Sequence, residues 1–198
     1  MSAVLIAVIL ALVLGHAAPQ LAAVRQFGWF RDWLAWLSAR LAGSGLQRSS
    51  AGILLSLGLP LLAVGLLQAA LDQRFYGLPA FAFALIVLFW CWGPRDLDLD
   101  VEAVIDAPDA EQRRVAVVGL HGPDRAATLD APSLVESVFR GALERWFGVL
   151  LWFVLLGPVG ALMYRLAQLG ATRACGAALP EPHADAYRRL HVILDWPA

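Results

Sequence analysis

The sequence contains few charged residues. They make up 16% of its 198 positions, while hydrophobic residues make up 60%. An average globular protein has roughly a quarter charged and about half apolar residues. This balance favours a membrane protein over a soluble one. The formal net charge of −1 also excludes a strongly basic surface, so we expect no nucleic-acid partner.

The sequence patterns of metal and nucleotide sites are also missing. The two cysteines, Cys91 and Cys175, form no Cys-x-x-Cys pair and are expected to be free, buried thiols. The segment "VGLHGPD" at 118–124 lacks the glycine spacing of a phosphate-binding loop. The alternating "DLDLD" at 96–100 suggests a divalent-cation site, but it lacks the features of an EF-hand loop, and we favour a solvated helix start. We therefore predict no metal ligand and no bound cofactor.

Four stretches of the chain are almost free of charge. An apolar helix needs about 20 residues, with a range of roughly 17 to 25, to cross the hydrocarbon of a bilayer. We predict membrane spans at residues 3–18, 51–71, 75–92 and 146–164. The first stretch is short and contains His16, so it could span, insert incompletely or be a signal peptide. No basic region precedes it, which argues against a cleaved signal.

The two middle spans are predicted to form a transmembrane hairpin, because only residues 72–74 separate them. Gly58 and Gly65 lie seven positions apart on one face, where small residues let helices approach closely. Pro60 and Pro79 are tolerable in spanning helices because neighbours can bond the carbonyls that proline leaves free.

Residues 24–42 combine arginines with three tryptophans and are predicted to form an amphipathic helix. Its apolar residues recur at helical spacing: Phe27, Phe30, Trp33, Leu34, Leu37 and Leu41. Two placements stay open for this helix. It could lie in the lipid headgroup layer, or it could pack on its neighbours. The glycines at 43 and 45 are expected to end it.

Residues 93–131 form a polar insert. A further helix is expected to begin with Asp130 as its N-cap and Pro132 in the first turn. It would continue through Glu136, Arg140 and Glu144 directly into the last span. Within it, Glu136 and Arg140 are spaced to pair on one helix face.

The arginines near the spans predict the orientation of the chain. The segment after the first span and the polar insert are rich in arginine, which places both in the cytoplasm and the amino terminus outside. By parity the carboxyl terminus would also lie outside. The arginines that follow residue 164 argue against that, so either the first span does not cross or the tail returns to the membrane surface.

The run "VESVFRGALERWFGVLLWFVLLGPVGALMYRLAQL" and the final "LHVILDWPA" resemble the AmpE/CobD (CbiB) family of integral membrane proteins. The resemblance covers about residues 95–198. It implies one domain over residues 1–198, all-α, built as a polytopic helical bundle with about four transmembrane helices and a cytoplasmic polar insert. The expected location is the bacterial inner membrane, with the lipid bilayer as partner.

The cobalamin branch of this family is an adenosylcobinamide-phosphate synthase, which joins an aminopropanol (phosphate) to a corrinoid carboxylate at the expense of ATP. This chain resembles the sequence pattern of that branch at five places: Arg113-Arg114, Leu129-Asp130, Val135-Glu136-Ser137, 157–164 and Leu194-Asp195. Other positions depart from it, namely Gly119-Leu120-His121, Arg140-Gly141, Glu144 and Gln168-Leu169. The departures remove carboxylates and phosphate-binding groups that an ATP-dependent amide synthesis needs.

The segments "LHG" and "LHVILDW" resemble the AmpE branch instead. That branch implies a regulatory modulator linked to β-lactamase induction and cell-wall stress sensing, with a protein partner in the β-lactamase or peptidoglycan recycling pathway. On this interpretation no residue is catalytic. The alternative is a divergent ATP-dependent adenosylcobinamide-phosphate synthase that uses Mg-ATP.

A polar cluster on the cytoplasmic side is the predicted ligand site, a vestige of the synthase site for a small anionic or phosphorylated ligand. Its residues are Arg113, Arg114, Asp130, Glu136, Arg140, Glu144 and Asp195. Asp195 belongs to a short surface helix whose apolar face contains Leu190, Ile193 and Leu194, while Arg188, Arg189 and Asp195 are expected to face away from it. Trp196 is expected at headgroup depth.

Overall fold

The computed structural model of the chain describes residues 2–17, 26–45, 49, 52–72, 77–92, 97–121, 130–177 and 179–197. These residues are helical apart from short connections, which confirms the all-α class. The helices are α1 (Ser2–Ala17), α2 (Gly28–Arg40), α3 (Gly52–Asp72), α4 (Leu78–Cys91), α5 (Leu97–Ile105), α6 (Ala110–His121), α7 (Ala131–Ala142), α8 (Gly148–Ala171), α9 (Arg173–Gly176) and α10 (Glu181–Asp195). Parts of the predicted α3–α4 turn and of the polar insert, residues 73–76, 93–96 and 122–129, lie outside the described residues.

Two helical segments are long and apolar enough to cross a membrane. They are Gly52–Asp72 and Ala131–Ala171, the second of which contains a break at Gly157. The other two predicted spans fall on α1 and α4, which have 16 and 14 residues, fewer than the roughly 17 to 25 that a crossing needs. Membrane-compatible helices are therefore present at two of the four predicted positions.

The prolines of the apolar helices are accommodated in two ways. Pro60 lies inside α3 and has no N–H for the carbonyl four residues earlier. That carbonyl belongs to Ser56, and the Trp33 indole Nε1 donates to it at 3.0 Å. Pro79 instead lies in the first turn of α4, where no helical bond is lost. The expectation that a neighbour bonds the freed carbonyl is confirmed at Pro60.

Helix α2 packs on its neighbours through the predicted apolar face. Phe30, Leu34 and Leu37 are buried, and the Phe30 ring meets the Tyr187 ring edge-to-face at 6.4 Å. The opposite side is exposed, with the Arg40 guanidinium 5.3 Å from the Trp36 ring centre. The helix ends before Gly43, which has a positive φ of 82°.

Helix α8 is broken at Gly157. This residue has φ 66° and ψ −152°, a conformation essentially restricted to glycine. Pro158 follows it, as expected for the first position of a new helical segment. The break divides α8 into a first arm, residues 148–156, and a second arm, residues 158–171.

The two arms fold back on each other as a helical hairpin. In a straight helix, residues 148 and 164 would be about 24 Å apart, yet a Cβ on Gly148 would lie 2.1 Å from Cζ of Tyr164. Likewise a Cβ on Gly160 would lie 2.1 Å from the carbonyl oxygen of Trp152. Both glycines are required for this close approach. The predicted span at 146–164 lies within a segment that is long and apolar enough to cross a membrane, but it is not one unbroken helix, because the chain reverses at Gly157.

Gly58 and Gly65 of α3 are both predicted to lie where helices approach closely, and the structure confirms this for Gly65 alone of the two. Gly65 of α3 faces the second arm, where its Cβ would meet Val159 at 3.6 Å. A Cβ added at Gly58 would meet nothing within 4 Å, so the expectation that Gly58 lies at a close helix contact is wrong. α3 therefore packs on the hairpin through one of the two glycines.

Helix α10 packs between α3 and the second arm. Its Tyr187 hydroxyl and the Ser56 hydroxyl of α3 are 2.7 Å apart, and the Tyr187 ring covers Gly170. Burial raises the pKa of the Tyr187 phenol, while the hydrogen bond with Ser56 opposes this rise. His183 covers Gly52 at the start of α3, and the Tyr187–Ser56 contact lies four residues further along both helices. α10 and α3 therefore begin at the same level and run in the same direction.

The polar insert forms helices as expected. Asp130 caps α7 by accepting a hydrogen bond from the Ser133 backbone N–H at 3.1 Å, with proline in the first turn, which confirms the prediction. α5 begins within the acidic run, but Asp100 is only 3% exposed, so the expectation of a solvated position is wrong there. Cys91 and Cys175 are free and buried, as predicted.

Candidate functional site

Charged and polar side chains gather where the apolar hairpin meets the polar helices. This polar network consists of Asp100, Glu144, Arg145, Tyr164, Arg165, His191 and Asp195. Its members come from α5, the turn before the hairpin, the second arm and α10. It includes Glu144 and Asp195 from the predicted site.

A buried ion pair joins α5 to the start of the hairpin. The Arg145 Nη1 donates to the Asp100 carboxylate at 2.6 Å, with side chains 16% and 3% exposed. Arg145 and Glu144 lie in a π-helical turn, Leu143–Phe147, between α7 and α8. Such turns insert an extra residue into a helix and occur frequently at functional sites. The turn directs Arg145 toward α5.

Arg165 connects three elements at the base of the second arm. Its Nε donates to the Cys91 carbonyl at 2.7 Å, so it bonds a carbonyl at the carboxyl end of α4, where helical partners are lacking. Its Nη2 lies 3.5 Å from the Arg145 carbonyl, and its Nη1 donates to Gln168. Arg165 is almost fully buried, and its bonds hold the two arms and α4 together.

Tyr164, His191 and Asp195 form the part of the network with acid–base groups. The Tyr164 hydroxyl donates to the Asp195 carboxylate at 2.7 Å. The His191 Nδ1 lies 3.5 Å from the same carboxylate oxygen, one helical turn before Asp195. The His191 ring meets the Tyr164 ring edge-to-face at 5.7 Å. Asp195 thus faces the hairpin, and the expectation that it faces away is wrong.

Glu144 and the Nδ1 atom of His191 add to this group of acid–base side chains. Glu144 is near enough for its charge to act on both Tyr164 and Arg165. His191 Nδ1 is buried and makes no hydrogen bond within the part of the chain that the structure describes. Imidazole and carboxylate side chains are the groups that most often transfer protons in enzymes, so this part of the network has the composition of an acid–base site.

The remaining predicted site residues have other neighbours. Glu136 pairs with Arg140 at 3.0 Å on the exposed side of α7, as the spacing predicted. Asp130 acts as the N-cap of α7. The Arg113 Nη2 lies 3.5 Å from the Ala107 carbonyl, and Arg114 is exposed on α6. The described contacts link none of these residues to Asp195, and their joint ligand site stays a prediction.

Sequence reasoning missed the centre of the network. Tyr164 and Arg165 end the long uncharged run, which is the available signal for a boundary residue. His191 stands four positions before Asp195, a spacing that places both on one helix face. The Asp100–Arg145 pair joins residues 45 positions apart, and no local pattern signals it.

The synthase alternative uses Mg-ATP, which raises the question of whether the side chains of this protein could bind magnesium. Mg²⁺ binds oxygen ligands, commonly carboxylates. Among the residues that the structure describes, no three His, Cys, Asp or Glu side chains are grouped closely enough to hold a metal ion. The described residues therefore do not fit a protein-built magnesium site.

A comparison with protein families matches most of the chain. The model of the CobD/Cbib protein family matches residues 4–169, from α1 to near the end of α8. The match begins well before residue 95, where the resemblance in sequence motifs begins, and stops before α10. No curated protein and no solved structure matches the chain.

Proposed function

The chain belongs to the CobD/Cbib family, and from that membership we propose that it acts in cobalamin biosynthesis. The proposed reaction is the coupling of an amino alcohol, or its phosphate, to a corrinoid carboxylate. The observation that carries the proposal is the family match over residues 4–169, which contains the hairpin, Tyr164 and Arg165. The sequence motifs give this reaction as the alternative to a regulatory role.

The proposed chemistry requires a proton acceptor. An amide forms when the amine nitrogen attacks an activated carboxyl carbon, and the nitrogen must then lose a proton. His191 is the candidate acceptor, because imidazole is the side chain that most often acts as a general base and its Nδ1 lies 3.5 Å from the Asp195 carboxylate. Tyr164 holds Asp195 in place with its hydrogen bond.

ATP would supply the activation of the carboxylate in this proposal. The described residues do not group carboxylates for a metal ion, so we assign no magnesium ligand and no step through one. Arg145 and Arg165 are committed to the Asp100 pair and to the Cys91 carbonyl. We assign them to holding the network together rather than to binding phosphate.

A growth assay tests the proposed function. In a bacterium that lacks its own cobinamide-phosphate synthase and requires cobalamin, expression of this chain is expected to restore growth on the corrinoid acid precursor. His191→Ala and Tyr164→Phe are expected to reduce growth at equal protein level, while Arg188→Gln, an exposed change on the same helix as His191, leaves it unchanged. No restoration by the wild-type chain would reject the proposal.

A regulatory role resembling the AmpE branch is the second candidate. The observation that favours it is a pair of exposed apolar side chains on α7, Val135 at 55% and Phe139 at 73%, which are four positions apart and so share one helix face. Exposed apolar residues of this size can mark a protein-binding surface. Glu136→Gln is then expected to impair β-lactamase induction while leaving membrane insertion intact, and an unchanged induction would reject this role.

We also propose that the chain is a multi-pass protein of the bacterial inner membrane. The long apolar helix Gly52–Asp72, the apolar hairpin within Ala131–Ala171 and membership in a family of membrane proteins support this location. Membrane fractionation of the expressed full chain tests it: extraction by carbonate without detergent would contradict the proposal.

A further inference from the structure

A groove of about 990 Å³ lies between the first half of α3 and α10. Its floor is apolar and includes Leu54, Leu57 and Leu61 of α3 with Leu190 and Ile193 of α10. It is separate from the polar network, none of whose residues line it.

The groove opens sideways along an apolar helix. Leu54 is 72% exposed and Ile193 is 65% exposed, although α3 is long and apolar enough to cross a membrane. In a bilayer, an exposed apolar face of this kind contacts acyl chains rather than water. The floor from Leu54 to Leu61 extends about 10 Å along the helix, enough to bind a segment of an acyl chain.

Charged side chains from the first nine residues of α10 form the rim of the groove. They are Glu181, Asp185 and Arg189. Asp185 pairs with Arg188, whereas neither Glu181 nor Arg189 forms an ion pair within the described part of the chain. Asp185 and Arg189 are four positions apart, so their side chains are neighbours on one helix face. The rim thus offers a cation and carboxylates side by side.

We propose that the groove binds a bilayer phospholipid whose headgroup carries a phosphate and a primary ammonium, as in phosphatidylethanolamine. The Arg189 guanidinium binds the phosphate, for which its planar donors are well suited. The carboxylates of Glu181 and Asp185 accept hydrogen bonds from the ammonium. An acyl chain lies on the floor formed by α3 and α10.

The experiment is native mass spectrometry of the full chain released from detergent micelles. Phosphatidylethanolamine, phosphatidylglycerol and phosphatidylcholine with identical acyl chains are added separately. The ethanolamine lipid is expected to bind tightest, because the glycerol headgroup has no ammonium and the choline ammonium has no N–H to donate. Arg189→Gln is expected to weaken that binding about tenfold, the effect of losing one charge-assisted hydrogen bond. Arg31→Gln, an exposed change on α2 outside the groove, serves as the control and should show no loss.

A second pair of variants tests the apolar floor. Gly58 lines the groove and has nothing within 4 Å of a Cβ, so Gly58→Leu places an added side chain in the groove and is expected to abolish lipid binding. Ala63→Leu adds similar bulk to an exposed part of α3 outside the groove and should retain it. Equal binding of the three lipids, full binding by Gly58→Leu, or binding of free phosphoethanolamine as tight as that of the lipid would each overturn the proposal.

Discussion

At the scale of single residues, the structure is held by polar groups placed against specific backbone atoms. Trp33 donates to the carbonyl that Pro60 leaves free, and Arg165 donates to the Cys91 carbonyl at the end of α4. A buried carbonyl without a partner costs free energy comparable to a lost hydrogen bond. These two side chains therefore stabilise positions where a backbone carbonyl has no hydrogen-bond donor within its own helix.

The bond between Trp33 and Ser56 leads to a double-mutant prediction. Trp33→Phe keeps an aromatic ring but removes the donor, so it should lower the free energy of unfolding in micelles by about 1–3 kcal/mol. In a Pro60→Ala background, residue 60 regains an N–H that can bond the Ser56 carbonyl, and the cost should fall. An equal cost of Trp33→Phe in both backgrounds would show that the indole bond does not compensate for the proline.

The buried ion pair between Asp100 and Arg145 gives a second prediction. Asp100→Asn removes the charge that faces the Arg145 guanidinium in a nearly inaccessible position. We expect the free energy of unfolding to fall by about 3–5 kcal/mol. The control is Asp98→Asn in the same helix, which is exposed and should change stability by less than about 0.5 kcal/mol. Similar effects of the two variants would contradict the role of the pair.

At the scale of helices and their connections, the hairpin of α8 positions the site. The reversal at Gly157 places residues 145 and 165 side by side, with the Arg145 carbonyl 3.5 Å from Nη2 of Arg165. In an unbroken helix these residues would be about 30 Å apart. The polar network therefore depends on a backbone conformation that glycine adopts at one position.

Gly157→Ala tests this dependence. The Cβ would meet the Gln68 amide only at ordinary distance, 3.5 Å, so the cost comes from the backbone conformation and should be about 1–3 kcal/mol of unfolding free energy. Gly65→Ala in α3 is the matched control, because its backbone is helical and its Cβ has room beside Val159. Since alanine favours helix over glycine, this control should be neutral or stabilising. Destabilisation by Gly65→Ala equal to that by Gly157→Ala would contradict the hairpin.

Local sequence signals predicted much of the fold but not this reversal. The Asp130 cap, the buried face of α2 and the Glu136–Arg140 pair follow from spacing within one helix, and each is confirmed. The hairpin and the Asp100–Arg145 pair depend on contacts between distant segments. An uncharged run of nineteen residues has the same composition whether it is straight or folded back, so periodicity alone cannot distinguish the two.

At the scale of the whole molecule, the hairpin bears on the orientation of the chain. Its second arm has 14 residues, about 21 Å, less than the roughly 30 Å of bilayer hydrocarbon. Both ends of the hairpin lie together, so we predict that α10 lies on the same side of the membrane as the polar insert. This agrees with the arginines that follow Tyr164, which favour the cytoplasm.

Cysteine labelling of intact cells tests this topology, with Cys91 and Cys175 replaced. An impermeant maleimide added outside should modify a cysteine at Gln73 and should fail at Arg113 and at Trp196. Trp196 is 91% exposed, so failure there reports its side of the membrane rather than burial. Permeabilised cells are the control, in which positions 113 and 196 should both react. External labelling at 196 would contradict the return of the tail.

The proposal that this member of the CobD/Cbib family couples an amine to a corrinoid is tested most directly by product formation. Purified full chain in micelles is incubated with the corrinoid acid, aminopropanol or its phosphate, and Mg-ATP, and the corrinoid mass is measured. The expected result is a mass gain equal to the amine minus one water, reduced at least about tenfold by His191→Ala because the proposed proton acceptor is lost. A corrinoid mass that stays unchanged with the folded wild-type chain would contradict the proposed function.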